Sequence, residues 1–323
     1  MEILIIGKRG SLDELYHTGS ICIVDENSEV IYSLGDQQQK IFMRSSSKVF
    51  QILPLLYLGL DKKYQLTLDE IAIMTSSHIG SLEQLEIIER IMKKTGIKES
   101  DFCIKPAYPI SFATTKYLIE NKIEPKRYFH MCSGKHLGLM LVEKEFTDKY
   151  QNYYKTDSNA TKLSLEYCAK VGQLDQKTIE IGLDGCGVPV YGITLYQAAI
   201  LFRNIACPNF ADKKLNEVIN KVTTAISTYP DLVRGANYFC SQHNYDKNVV
   251  AKDGAHGFYA FGLKKEKIGV AFKIFSGDMN MFGYITKGIY QKIGYSSTMI
   301  DKYLNFEYTN DNDEIIGKYY INF

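Results

Sequence analysis

Ser20-Ile21-Cys22-Ile23-Val24-Asp25-Glu26-Asn27-Ser28-Glu29-Val30-Ile31-Tyr32-Ser33 holds two alternating, β-branched runs around a turn-like Glu26-Asn27-Ser28. Alternation at period two with a polar break predicts a β-hairpin over residues 20–33. Just beyond it lies Arg44-Ser45-Ser46-Ser47-Lys48, where the pattern changes and an apolar stretch, 49–60, begins. From there to about residue 228 the apolar residues recur at three and four. Leu82, Leu85, Ile88, Ile91 and Met92 do so behind a Ser81-to-Gln84 capping box, and Gly96 stops the helix. Further helices are predicted over 68–74, 137–145, 160–171, 195–203 and 215–226, with a strand at 178–181. Alternating strands return at 249–252, 257–263 and 268–275, followed by an amphipathic helix over 279–293.

Early and late strands separated by helices fit one antiparallel sheet with flanking helices, an α+β rather than a repeating βαβ chain. No Pro/Gly-rich linker or internal repeat divides the sequence, so residues 1–323 are expected to form a single domain of two lobes. The sheet lobe takes about 1–60 and 245–323, and the mainly helical lobe about 61–244. At 323 residues and 45% hydrophobic the chain can bury a large core.

Basic and acidic residues nearly cancel, 38 against 37. With no long single-sign run, neither a nucleic acid nor a membrane surface is expected as a partner. The apolar start, residues 3–6, is interrupted by Gly7, Lys8, Arg9 and Gly10, too short for a secretory core, so a cytoplasmic protein is expected. Seven cysteines without CxxC spacing read as reduced thiols rather than a disulfide framework.

The chemistry-bearing residues begin at Ser45 and Lys48. Ser45 can cap the apolar helix, and a spacing of three places the Lys48 amine within reach of the Ser45 hydroxyl near backbone N–H groups. Nucleophile, base and oxyanion stabiliser then share one turn. A lysine acts as a base only when neutral, which requires desolvation or a second cation. Lys252-Asp253-Gly254 after a late strand stands in chain order where KTG stands in serine β-lactamases and penicillin-binding enzymes, and Ser76-Ser77-His78 lies between. Taken singly, Ser45 reads as a cap, Ser77-His78 as a helix end and Lys252 as a solvated strand end.

Two other segments stand out, His130-Met131-Cys132-Ser133-Gly134-Lys135-His136 and Asp184-Gly185-Cys186-Gly187-Val188-Pro189. Gly134-Lys135 lacks the remaining residues of a phosphate loop. By sequence alone Cys132 and Cys186 are buried thiols; as zinc ligands they need the fold to unite them. Gly254 to Gly257 reads as a turn carrying His256 as a candidate base.

Jointly, RSSSK at 44–48, SSHIGS at 76–81, CSGKH at 132–136, DGCGVP at 184–189 and KDGAHG at 252–257 resemble the thermolabile, inducible bacterial L-asparaginase family of the Rhizobium type. The resemblance runs from about Gly19 to Phe275. It implies a serine β-lactamase-like fold, a homodimer, and catalytic Ser–Lys pairs Ser45 with Lys48 and Ser77 with Lys252. It further implies zinc held by Cys132, Lys135 and Cys186. Asp184 and Arg44 are expected to bind the substrate ammonium and carboxylate, with His78 and His136 as further substrate contacts. The family pattern differs here at Met131, His256, Val49 and Phe50, and its HPxQ-like segment is missing around 155–162. The reaction expected is hydrolysis of L-asparagine to L-aspartate and ammonia. The alternatives are a glutaminase or other small-amide or penicillin-recognising serine hydrolase, and a non-catalytic amino-acid-binding homologue.

Overall fold

The computed structural model describes residues 2–323. The strands in chain order are β1 (Glu2–Arg9), β2 (Leu12–Val24), β3 (Val30–Leu34), β4 (Lys40–Phe42), β5 (Glu180–Leu183), β6 (Pro189–Thr194), β7 (Val249–Gly254), β8 (Phe258–Leu263), β9 (Ile268–Ile274), β10 (Glu307–Thr309) and β11 (Ile315–Ile321). The predicted hairpin is present as β2 and β3, with Cys22 opposite Ser33. Strand β2 is much longer than expected. Its first half pairs with β1 and its second half with β9, from Gly19 opposite Ile274 to Val24 opposite Gly269.

The large sheet runs β10-β11-β1-β2-β9-β8-β7 with β3 beside β2, every pairing antiparallel. First and last strands are therefore neighbours, Ile5 opposite Ile321, as an antiparallel sheet built from both chain ends requires. The apolar start read as a bare interruption is this β1, and its partner β11 lies beyond the strands predicted. A second small sheet, β4-β6-β5, contains the predicted strand near 178–181, shifted by two residues.

The predicted helices are found. Leu82–Thr95 opens on the capping box, Ser81 Oγ accepting from Gln84 N, and closes on Gly96 in the left-handed region at φ +73°. Helix Leu195–Ala206 packs on β2, β8 and β9, with Gly262 and Gly269 lying close against its Phe202 and Ala199 carbonyls, so part of the helical segment covers the large sheet. The apolar stretch after Lys48 is three short helices, Lys48–Gln51, Leu53–Tyr57 and Leu60–Lys63. Pro54 starts the second and Gly59, at φ +75°, separates the third. A continuous apolar core joins these helices to the sheet. No described helix is long and apolar enough to cross a membrane.

Candidate active site

Ser45 lies in a single 3₁₀ turn, Arg44–Ser47, leading from β4 into helix Lys48–Gln51. Arg44, which opens it, is held at φ +52°, a left-handed conformation that costs a non-glycine residue about 1–3 kcal/mol and persists where its surroundings enforce it. Those surroundings are visible. Met43 N donates to Tyr191 O at 3.0 Å, and Ser46 Oγ donates to Lys252 O at 2.7 Å. Gly254 lets β7 lie against the turn, since a Cβ there would sit 2.3 Å from Met43 O. The expected capping role of Ser45 is corrected: its side chain caps nothing and instead lines a cavity.

The cavity measures ≈ 180 Å³ and is lined by Arg44, Ser45, His130, Met131, Cys132, Asp184, Gly185, Cys186, Arg234, Asp253, Ala255 and Met279. That is below the ~300–1,000 Å³ of sites for drug-sized ligands, a volume for a small metabolite.

Lys48 is buried, and its Nζ donates to Ser76 O at 2.6 Å and to Ser77 Oγ at 2.9 Å. In this structure both lysines hydrogen-bond partners other than the expected ones. The Lys48 amine bonds Ser77 rather than Ser45, because the chain turns from 3₁₀ to α between Ser45 and Lys48 and directs the amine towards the 76–77 segment. Lys252 bonds the Asp253 carboxylate rather than Ser77, the nearest anion being its own neighbour in sequence. Burial lowers the Lys48 amine to about 8, with Lys135 and Lys252 adding to the effect and Cys132 and Cys186 opposing it. Ser77 is fully buried and off the cavity wall, whereas Ser45 is on it.

Cys132 and Lys135 meet Cys186, which is about fifty residues away in sequence. Gly134 seats helix Ser133–Thr147, whose N-cap position is Cys132 and which carries Lys135, against Leu68–Met74, where a Cβ would lie 2.2 Å from Ile73 O. Lys135 Nζ lies 3.1 Å from Cys186 Sγ. A hydrogen bond from Cys132 and the Lys135 charge pull the Cys186 thiol down to about 5 against burial. Burial pulls Lys135 down, but Cys186, Cys132 and Asp184 outweigh it and raise its pKa. Among the described residues no group of three His, Cys, Asp or Glu side chains is placed to hold a metal ion. Two buried sulfurs and an amine in mutual contact fit the chemistry of zinc, provided Lys135 gives up a proton.

The expected substrate contacts divide. Arg44 and Asp184 are on the wall but bonded to each other, Nη2 to Oδ1 at 2.7 Å and Nε to Oδ1 at 3.1 Å. His78 and His136 are not among the residues lining the cavity. Both are fully buried behind the wall, His78 Nε2 2.8 Å from Ser133 Oγ and His136 Nδ1 2.7 Å from Tyr153 OH. Burial lowers each imidazole to about 3, so both stay neutral. His256, at φ +61°, is exposed with Nδ1 3.0 Å from Arg44 Nη1. Sequence reasoning missed Arg234, Met279 and the role of Asp253. Arg234 sits in no motif, and only the fold brings it to the others.

The site combines a cavity-facing serine, a buried lysine of lowered basicity and a second serine, the parts of an acyl-transfer centre. Over residues 5–321 the sequence matches the L-asparaginase II family, and the chain belongs to that family, which places it among amidohydrolases. No curated protein matches it. Among solved structures, a protein called Mglu aligns over 85% of this chain and 67% of its own, at 11% identity and TM-score 0.48. Mglu in its L-glutamate binding form aligns over 86% and 60%, at 11% identity and TM-score 0.49. A β-lactamase from Mycobacterium bovis aligns over 85% and 94%, at 10% identity and TM-score 0.42. The chain spans about two thirds or less of the length of those Mglu chains. Scores below 0.5 lend no weight to a functional assignment.

Proposed function

We propose that this protein hydrolyses the side-chain amide of L-asparagine to L-aspartate and ammonia through an ester on Ser45. The observation that carries the proposal is the buried Lys48, its amine lowered to about 8 and 2.9 Å from Ser77 Oγ, behind a cavity that Ser45 lines. Neutral Lys48 takes the Ser45 proton, with Ser77 as the hydroxyl through which it passes. Ser45 Oγ bonds to the amide carbon, and the oxyanion is met by Ser45 N–H, which has no acceptor among the described residues. The C–N bond breaks, nitrogen takes the proton back from Lys48, and ammonia leaves. Water, giving its proton to Lys48, then cleaves the ester and restores the Ser45 hydroxyl. Lys252, held by Asp253, keeps positive charge near Lys48 and favours its neutral form.

Asp184, whose Oδ2 has no partner among the described residues, is proposed to receive the substrate ammonium. Cys132, Lys135 and Cys186 would hold zinc, which when bound supplies positive charge beside the substrate. A homodimer completes the proposal on the strength of the family resemblance, and sedimentation at micromolar concentration tests the dimer. Ammonia release from L-asparagine, L-glutamine and simple amides, with nitrocefin as control, tests the activity. Turnover led by L-asparagine supports it; binding without product supports the non-catalytic alternative.

A further inference from the structure

Two arginines line the cavity, and they differ in what their donors already hold. Arg44 has three of its five N–H groups engaged: Nε and Nη2 go to Asp184 Oδ1 at 3.1 and 2.7 Å, and Nη1 lies 3.0 Å from His256 Nδ1. Arg234 has fewer. Of a guanidinium's five N–H groups, only one has an acceptor among the described residues, Nη1 to Ser77 O at a long 3.3 Å. Its Nε is buried without a hydrogen bond, and the nearest carboxylate oxygen, Asp253 Oδ2, stands at 3.8 Å. Asp253 is meanwhile bonded to Lys252, so two cations share one anion.

The side chain is nonetheless well fixed. Its exposure is only 14%, and the guanidinium lies over the Tyr238 ring, 5.0 Å from the centroid. The backbone is held where Arg234 O accepts from Ile79 N at 3.1 Å and Gln84 Nε2 at 3.2 Å. A buried guanidinium with unspent donors is costly unless a ligand uses them, and its planar fork matches a carboxylate.

We infer that Arg234 binds the α-carboxylate of the substrate and restricts the site to α-amino-acid amides. This rests on reading the cavity as the amide site. Arg44 then orders the wall by fixing Asp184, and the two arginines have separate tasks. Arg234 and Ser45 line the same small cavity, so a substrate held at Arg234 occupies the space that Ser45 faces, and an amide without the carboxylate leaves the guanidinium unpaired.

The test compares L-asparagine with 3-aminopropionamide, which is asparagine with the carboxylate replaced by hydrogen. The wild type should prefer asparagine about 100-fold in kcat/KM, as loss of a charged hydrogen-bonded pair predicts. Arg234→Gln should lower kcat/KM for asparagine by about that factor, mainly through KM, and leave the analogue within about twofold. The preference then collapses, and Arg234→Lys restores part of it. An equal loss on both substrates would mean a structural role and overturn the assignment, as would collapse in Arg44→Gln with Arg234→Gln unchanged. If the wild type releases no ammonia from asparagine, the proposed activity fails by itself. Calorimetry with L-aspartate and β-alanine then decides the carboxylate site: it stands if Arg234→Gln abolishes a preference for aspartate, and falls if that preference persists.

Discussion

Replacing Lys252 by methionine should move the acid limb of the pH–rate profile upwards. The Lys48 amine sits at about 8 instead of its ordinary 10.5. At pH 7 a base of pKa 8 is neutral about one time in ten, and one of pKa 10.5 about one time in three thousand. Burial and the neighbouring cations thus supply roughly 300-fold more active base. The charges facing Lys48 are Lys252 on β7, Lys135 and Cys132 on helix Ser133–Thr147, and Cys186 on the 184–189 turn. A general base is active when deprotonated, so kcat/KM should rise about tenfold per pH unit below 8 and level off above it. Lys252→Met removes a cation that disfavours protonated Lys48 and strips Asp253 of its closest partner. Both changes stabilise the ammonium and raise its pKa, by roughly one unit for a single nearby charge. The assay is kcat/KM for L-asparagine from pH 5.5 to 9.5, by coupled ammonia detection, where the limb should shift towards 9 and activity at pH 7 fall about tenfold. A wild-type profile flat across pH 6–9, or a variant limb at an unchanged pH, would refute the reasoning that Lys48 is the base.

Gly254→Ala forces a Cβ to 2.3 Å from Met43 O and should cost ~1–3 kcal/mol by overpacking, read from urea unfolding, with activity falling as the Ser45 turn shifts. Cys186→Ser should reduce bound zinc in elemental analysis and raise KM more than it lowers kcat; full zinc content in the variant counts against the three-residue ligand set. Met131→Ala lengthens a small cavity and should raise glutamine turnover relative to asparagine, by about tenfold for one extra methylene accommodated.

Much of the fold was legible because it rests on local rules. Ser81, Gln84 and Gly96 mark one helix completely, and the alternation around Glu26-Asn27-Ser28 marks the hairpin. Two of the strands missed have weak local signals: β1 is cut by Gly7, and β11 is half-exposed and made stable by pairing with β1. At the site, residue types were legible and partners were not. Ser45, Lys48, Cys132 and Cys186 belong to recognisable segments, but which serine meets the Lys48 amine depends on how helix Leu68–Met74 ends beside it. Arg234 illustrates the limit. Its significance lies in donors left unspent, a property of three-dimensional surroundings that no spacing records.

The central claim is that Ser45, and not the buried Ser77, carries the acyl group. Rapid quenching of Lys252→Met with L-asparagine, followed by peptide mass analysis, tests it most directly. The account predicts an aspartyl ester on the peptide containing Ser45, absent from Ser45→Ala. An ester on Ser77, or undiminished ammonia release by Ser45→Ala, would contradict it.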